Sequence, residues 1–224
     1  MKKDKIFQLV FKEYNERKCV NRGVLMKKDQ IFRLVFTAIL ISIIILQSFI
    51  PFLGNLPLLV IDITIIHITV IIGACIMGWQ TGLLLGTVWG VCSFIRAFTS
   101  GSAISLLVFT NPLISIVPRA LVGLLSGLFF VALQKVISSS HLRMSIVGAF
   151  GSLLNTTLVL SLIYFLIGNQ YAETLQKTLG ELPVFLMTIV GTNGVPEAIA
   201  SAIIVPVVGG VLLKLMEKRR MKNA

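Results

Sequence analysis

The chain has 224 residues, of which 56% are hydrophobic and only 13% are charged. A water-soluble domain of this length does not need so much apolar surface, whereas a bundle of lipid-exposed helices does. The formal net charge is +11, but the basic residues are concentrated at the two ends and in one central connector. They do not interleave with aromatic residues, and no recognised nucleic-acid motif is present. We therefore predict a membrane protein that does not bind nucleic acid.

The first 25 residues form a basic segment whose start is repeated downstream. MKKDKIFQLVF (residues 1–11) recurs as MKKDQIFRLVF (residues 26–36). We interpret residues 1–25 as a basic cytoplasmic N-terminal segment that has the features of a duplicated start, and residues 26–224 as the membrane domain. The apolar run at residues 31–50 is longer than the core of a signal peptide and lacks a cleavage site, so we expect it to be a retained span.

Six apolar runs follow one another along the chain. They are residues 31–50, 61–77, 83–98, 113–133, 144–167 and 183–215. Because about 20 helical residues cross the hydrocarbon of a bilayer, the pattern predicts an all-α membrane protein with six transmembrane helices.

The last apolar run is too long for one straight span, and the residues 191–196 interrupt it with Gly, Asn and Pro. Two alternatives remain open. Either residues 183–190 form an external or re-entrant segment, or a single long span is broken at membrane depth. In both cases we expect exposed backbone amides near Gly194, where they could bind an anion.

The distribution of Lys and Arg predicts the orientation. If both termini are cytoplasmic, the N-terminal segment through Arg33 holds ten of these residues, the connector 134–143 holds two, and the tail from Lys214 holds five. Seventeen of the twenty then lie inside, as the positive-inside rule requires. An odd number of spans would place one basic terminus outside.

Polar residues within or beside the apolar runs are candidates for function, because an acid at membrane depth costs about 2.5–3.5 kcal/mol on insertion scales. Asn155, Asn193 and Glu197 carry the strongest signal. His67 shares a predicted helical face with Thr64 and is alternatively a neutral core histidine. The candidate binding residues are Asp62, Thr64, His67, Trp89, Arg96, Asn111, Asn155, Asn193 and Glu197.

Two arginines are expected on the outer side. Arg96 ends the third run and could bind a carboxylate through two parallel hydrogen bonds, or simply extend to the membrane surface. Arg119 follows Pro118 at the start of the fourth run, where it could pair with loop carbonyls or with an acid.

Small residues at four-residue spacing predict close helix packing. Gly82, Gly86 and Gly90 form such a row, and we assign it to packing within the chain. We assign Ala38 and Ser42, in the first span, to the docking of a partner's helices.

Several kinds of chemistry lack the residues that they need. The sequence has no GxxxxGK[ST], GxGxxG, HExxH or GxSxG motif. Three cysteines without CxxC spacing and two distant histidines predict no metal site. We expect no cofactor and no enzymatic activity. If the protein moves a solute uphill, the energy must come from partners or from an ion gradient.

Four segments make the chain resemble the substrate-binding S components of energy-coupling factor (ECF) vitamin transporters, and within them the pantothenate-type group. They are IPFLGNLPLLVIDITIIHITVIIG (residues 50–73), NPLISIVPRALVGL (111–124), NTTLVL (155–160) and TNGVPEAIASAIIVP (192–206). The last two segments together are the more specific. The resemblance extends over about residues 32–214.

The resemblance implies a six-helix protein in the cell membrane of a prokaryote that binds a vitamin, here pantothenate, from outside with high affinity. It also implies docking on a transmembrane T subunit and two cytosolic ATPase subunits, through small residues such as Ala38 and Ser42, followed by toppling in the membrane. Arg96 would then take the carboxylate, Asn155 and Asn193 the amide, and Glu197 a hydroxyl.

Three rival interpretations differ in function. The first is an S component for another small vitamin, such as pyridoxine or a thiamine precursor. The second is an intramembrane enzyme, for which Ser93, Ser105 and His67 offer no recognisable arrangement. The third is an accessory membrane subunit without a ligand, which the cost of burying Asn155 and Glu197 disfavours.

Overall fold

A computed structural model describes residues 30–50, 54–58, 61–100 and 103–223 of the chain. The predicted N-terminal segment 1–25 and the first copy of its duplicated start lie outside the described residues. The described part consists of nine helices and one short hairpin. In chain order the elements are α1 (Gln30–Phe49), β1 (Asn55–Leu58), β2 (Ile61–Thr64), α2 (Ile66–Met77), α3 (Trp79–Ser100), α4 (Ala103–Phe109), α5 (Pro112–Ser115), α6 (Val117–Leu133), α7 (Ser140–Thr174), α8 (Leu182–Ile189) and α9 (Val195–Asn223).

Five helical segments are long and apolar enough to cross a membrane. They are Gln30–Phe49, Trp79–Thr99, Pro112–Leu133, Ser140–Thr174 and Leu182–Met216. The apolar helix α2 has 12 residues and is only about 18 Å long, so it is too short to cross the hydrocarbon alone. The prediction of a helical membrane protein with several spans is confirmed, whereas the exact number of six spans stays a prediction.

The predicted second span is partly wrong, because its first residues form a strand. Strands β1 and β2 pair antiparallel, with Asn55 opposite Thr64 and Pro57 opposite Asp62. The Ile65 amide donates to the Gly54 carbonyl at 2.8 Å and closes the base of this hairpin. The prediction that Thr64 and His67 share a helical face is therefore wrong, because Thr64 ends the strand and His67 lies in the first turn of the helix.

Helices α3 and α6 run antiparallel with their backbones in direct contact. Gly82 lies against the carbonyl of Gly123, Gly86 against that of Arg119, and Gly90 against the backbone of Ile116. A side chain at any of these glycines would collide with backbone rather than with a flexible group. The assignment of this glycine row to packing within the chain is confirmed.

The last apolar run is one continuous helical rod rather than a broken span. Between α8 and α9, residues Val190–Gly194 form a π-helical turn, and the Val195 amide donates to the Val190 carbonyl. The prediction of exposed amides near Gly194 is therefore wrong, because π-helical hydrogen bonds replace the expected break in the helix. Of the two alternatives, the single long span is the closer one.

The stretch that follows the fifth apolar run is more helical than the sequence indicated. Helix α7 bends at Ile167, whose φ of −133° and ψ of 17° are not helical, and continues to Thr174. In the following loop, the Thr178 amide and hydroxyl donate to Glu181 at 2.8 and 2.9 Å. These hydrogen bonds hold the pKa of Glu181 below its ordinary value.

We predict that Gly86→Ala destabilises the protein, because its methyl group can be accommodated only by separating α3 from α6. The expected loss is on the order of 1–3 kcal/mol, which exceeds the gain of about 1 kcal/mol from the better helix propensity of alanine. Thermal denaturation of the detergent-solubilised protein measures this loss. Gly191→Ala is the matched control, because nothing lies within 4 Å of its added methyl, and equal melting temperatures for the two variants would contradict the prediction.

Candidate functional site

The first part of the candidate site joins the hairpin and α2 to α9. The Thr64 amide donates to Glu197 Oε1 at 2.7 Å. One turn further along α9, Ser201 Oγ lies 2.7 Å from Nε2 of His67, at the start of α2. Glu197 is 6% exposed, and His67 and Ser201 are fully buried. Three of the predicted residues, Thr64, His67 and Glu197, are thus brought together where β2 and the starts of α2 and α9 meet.

The histidine and serine of this junction are arranged for structure rather than for catalysis. Ser201 Oγ donates its single proton to the Glu197 carbonyl at 2.8 Å, so it must accept a hydrogen bond from His67 Nε2. A nucleophilic serine needs the opposite arrangement, in which the histidine accepts the serine proton. This geometry gives no support to the intramembrane-enzyme interpretation.

An aromatic wall continues from His67 towards the outer loops. The rings of His67 and Trp89 are 6.5 Å apart. The guanidinium of Arg119 lies 5.3 Å from the Trp89 ring and 4.8 Å from the Phe109 ring. Arg119 Nη1 also donates to the Ile114 carbonyl at 2.6 Å, which agrees with the loop-carbonyl pairing considered from the sequence.

Helix α7 contributes the third side of the site. It runs antiparallel to α9, with Gly148 packed on the Ser201 carbonyl and Gly194 packed on Thr156. Asn155 lies two turns along α7 from Gly148, on the same face of the helix, and next to Thr156, which contacts the π-helical turn at Gly194. Its Oδ1 is buried and has no hydrogen-bond partner. A buried amide oxygen of this kind is costly unless a polar group reaches it.

Two serines that the sequence analysis did not select extend this polar lining. Ser126 Oγ and Ser152 Oγ are buried and have no hydrogen-bond partner, whereas many other serines and threonines of this protein bond back to their own helix. Because serine is common in membrane helices, the residue type alone does not mark Ser126 and Ser152 as functional. For Ser152, however, the spacing of three residues from Asn155 places it close to the same face.

Arg96 lies further out on the same side of α3 as Trp89. The two residues are seven positions, or two turns, apart, which corresponds to about 10 Å along the helix. Arg96 is half-buried and belongs to the last turns of α3. Its predicted contact with a carboxylate stays a prediction.

The remaining candidates lie around the outer rim. Asn111 caps α5 by accepting from the Leu113 amide at 3.0 Å and lines an open depression of about 740 Å³ between α4 and the bend of α7. Asn193 is half-buried in the π-helical turn, where its Oδ1 accepts from Thr192 at 3.0 Å. The strand β2 contains Asp62, whose side chain lies outside the described part. The structure thus assigns Asn111 a capping role in addition to its predicted one.

Among the described residues, His, Cys, Asp and Glu form no group of three that could hold a metal ion. The site instead offers one carboxylate, one imidazole, hydroxyls, an amide and an aromatic wall, all on apolar helices. Such a set can surround a small polar molecule and replace its hydration, as ligand pockets with a few convergent polar groups do.

Comparison with known proteins identifies relatives over most of the chain. Residues 32–209 match the family described as "ECF transporter, substrate-specific component". The chain is 31% identical over 195 residues to a pantothenate transporter, PanT, of Leuconostoc mesenteroides subsp. mesenteroides, covering 84% of this chain and 95% of the relative. It is also 31% identical over 191 residues to the pantothenic acid transporter PanT of Lactococcus lactis subsp. cremoris, covering 79% and 91%.

We predict that Ser201→Ala destabilises the protein by about 1–3 kcal/mol, because it leaves the buried His67 Nε2 without a partner. Chemical denaturation in detergent measures the change. Ser42→Ala is the matched control, since Ser42 also bonds back to the carbonyl four residues earlier, at 3.0 Å, but is exposed and contacts no histidine. Equal losses in the two variants would show that the His67 hydrogen bond contributes nothing.

Proposed function

Because the chain belongs to the family of substrate-specific components of ECF transporters, we propose that it is the subunit that binds pantothenate for uptake into a prokaryotic cell. The observation that carries this proposal is the 31% identity to two pantothenate transporters over about four fifths of the chain. Family membership also agrees with a multi-pass protein of the cell membrane that is itself not an enzyme.

The described site supplies partners for the neutral groups of this ligand. Pantothenate has one carboxylate, one amide and two hydroxyls. Glu197 uses Oε1 for the Thr64 amide, which leaves Oε2 to accept from a hydroxyl. Asn155 and Asn193 offer amide groups, and Trp89 and His67 offer apolar and polar edges. Asp62 and Asn111 remain candidates at the rim.

The topology that supports this function has six spans and two cytoplasmic termini. The hairpin and α2 together make the second crossing, since α2 alone is too short. The site then lies in the outer half, at the beginning of α2 and α9, where it receives the ligand from outside. The basic connector and tail remain on the cytoplasmic side.

The partners in this proposal are a transmembrane T subunit and two cytosolic ATPase subunits, which supply the energy of ATP hydrolysis. The protein would topple in the membrane after docking and so carry its site inwards. Ala38 and Ser42 lie on the exposed side of α1, opposite the side that buries Leu40 and Ile44. Their small side chains permit the close approach of another helix.

We predict that pantothenate stabilises the purified protein. A ligand that binds only the native state adds about 2.7 kcal/mol at 100 times its Kd, and this should raise the melting temperature by several degrees. Thermal-shift measurements with pantothenate, pyridoxine and thiamine, followed by equilibrium binding, test the proposal. Stabilisation by pyridoxine or thiamine instead would favour the rival vitamins, and stabilisation by none of them would contradict the proposal.

A further prediction concerns docking on the T subunit. Ala38→Trp should abolish assembly with the T subunit and uptake into cells, while pantothenate binding by the isolated protein stays unchanged. Ile43→Trp is the matched control, because Ile43 is also exposed on α1 but lies about 140° away around the helix from Ala38. Co-purification of the complex measures assembly. Normal assembly of the Ala38→Trp variant would place the docking surface elsewhere.

A further inference from the structure

Arg119 is a charged side chain enclosed in the outer half of the bundle. It is 6% exposed, and its guanidinium is held between the faces of Trp89 and Phe109. Among the described side chains, no carboxylate pairs with it. A buried cation without a counter-ion is costly, because ring faces and one carbonyl replace only part of its hydration.

The guanidinium keeps one of its two-donor edges unused. Nη1 donates to the Ile114 carbonyl at 2.6 Å, while Nε has no hydrogen-bond partner. In a guanidinium, Nε–H and one N–H of Nη2 point the same way and together match the two oxygens of a carboxylate. The contact with Ile114 therefore fixes the group in place and leaves the Nε–Nη2 edge available for an anion.

An open depression of about 740 Å³ is lined by residues on both sides of Phe109 in the sequence. Leu107, two residues before Phe109, and Thr110, one residue after it, contribute to this lining together with Asn111. Phe109 is half-buried and ends α4, a helix of seven residues.

We propose that Arg119, rather than Arg96, receives the carboxylate of the substrate, through its Nε–Nη2 edge. The inference rests on the proposed function, and it assigns the anionic end of the ligand to the wall formed by Trp89 and Phe109. The hydroxyl-bearing end then points towards Glu197 and Asn155. Arg119 provides the positive charge that attracts the carboxylate, which the neutral and acidic groups around Glu197 cannot provide.

The test compares pantothenate with pantothenol, its analogue in which an alcohol replaces the carboxylate. Equilibrium binding of both ligands to the purified full chain gives a preference ratio for the carboxylate. We expect Arg119→Met, which keeps much of the side-chain volume and removes the charge, to lower this ratio at least tenfold while pantothenol binding stays within about threefold. Arg96→Met is the comparison variant, because it tests the rival assignment, and the ratio should fall less in it than in Arg119→Met.

The outcomes separate the alternatives. A ratio that falls in Arg96→Met but not in Arg119→Met overturns the inference, and so does an equal loss of both ligands in a folded Arg119→Met protein. If Arg119→Met does not fold, Arg119→Lys keeps the charge without the fork, and an unchanged ratio in that variant overturns a two-donor contact. Equal binding of the two ligands by the unaltered protein overturns the inference alone, whereas binding of neither overturns the proposed function.

Discussion

The hydrogen bond between the Thr64 amide and the Glu197 carboxylate is the constraint on which the site depends. It places an acid at membrane depth, where such groups are expensive, and uses it to attach the hairpin to the start of α9. The contact between His67 and Ser201 repeats the attachment one turn deeper. These two contacts fix α2 and α9 to each other, and Gly148 of α7 packs on α9 at the Ser201 carbonyl.

The glycine seam between α3 and α6 supports this arrangement from the other side. Their backbones touch through Gly82, Gly86 and Gly90, which leaves Trp89 and Arg119 on adjoining surfaces of one rigid pair. The aromatic wall is thus built on a pair of helices that cannot separate without losing direct backbone packing. A binding site placed between two firmly joined units is preorganised, and preorganisation reduces the cost of ordering groups around a ligand.

Much of this architecture follows from the sequence, but the irregular parts do not. The length and polarity of the apolar runs indicated the membrane spans, and the cost of burying polar groups singled out Asn155, Glu197 and His67. The hairpin was missed because the short apolar run at residues 61–64 fits a strand or a helix equally well. The π-helical turn was missed because an Asn-Gly pair favours a break when neighbouring helices are not considered. As residue types, Ser201 and Ser152 gave no signal. What distinguishes them is the contact of Ser201 with His67 and the three-residue spacing of Ser152 from Asn155.

Two of the helical rods are taller than the bilayer is thick. The 35 residues of Ser140–Thr174 and of Leu182–Met216 extend about 50 Å, against a hydrocarbon layer of about 30 Å. The loop that joins these two segments carries the exposed charges of Lys177 and Glu181, and Glu173 is exposed at the end of α7. Thr178 favours the ionised form of Glu181. Tilting the bundle would drag these charges towards lipid tails. The overhang therefore keeps this loop in water, because a charged side chain among lipid tails is costly.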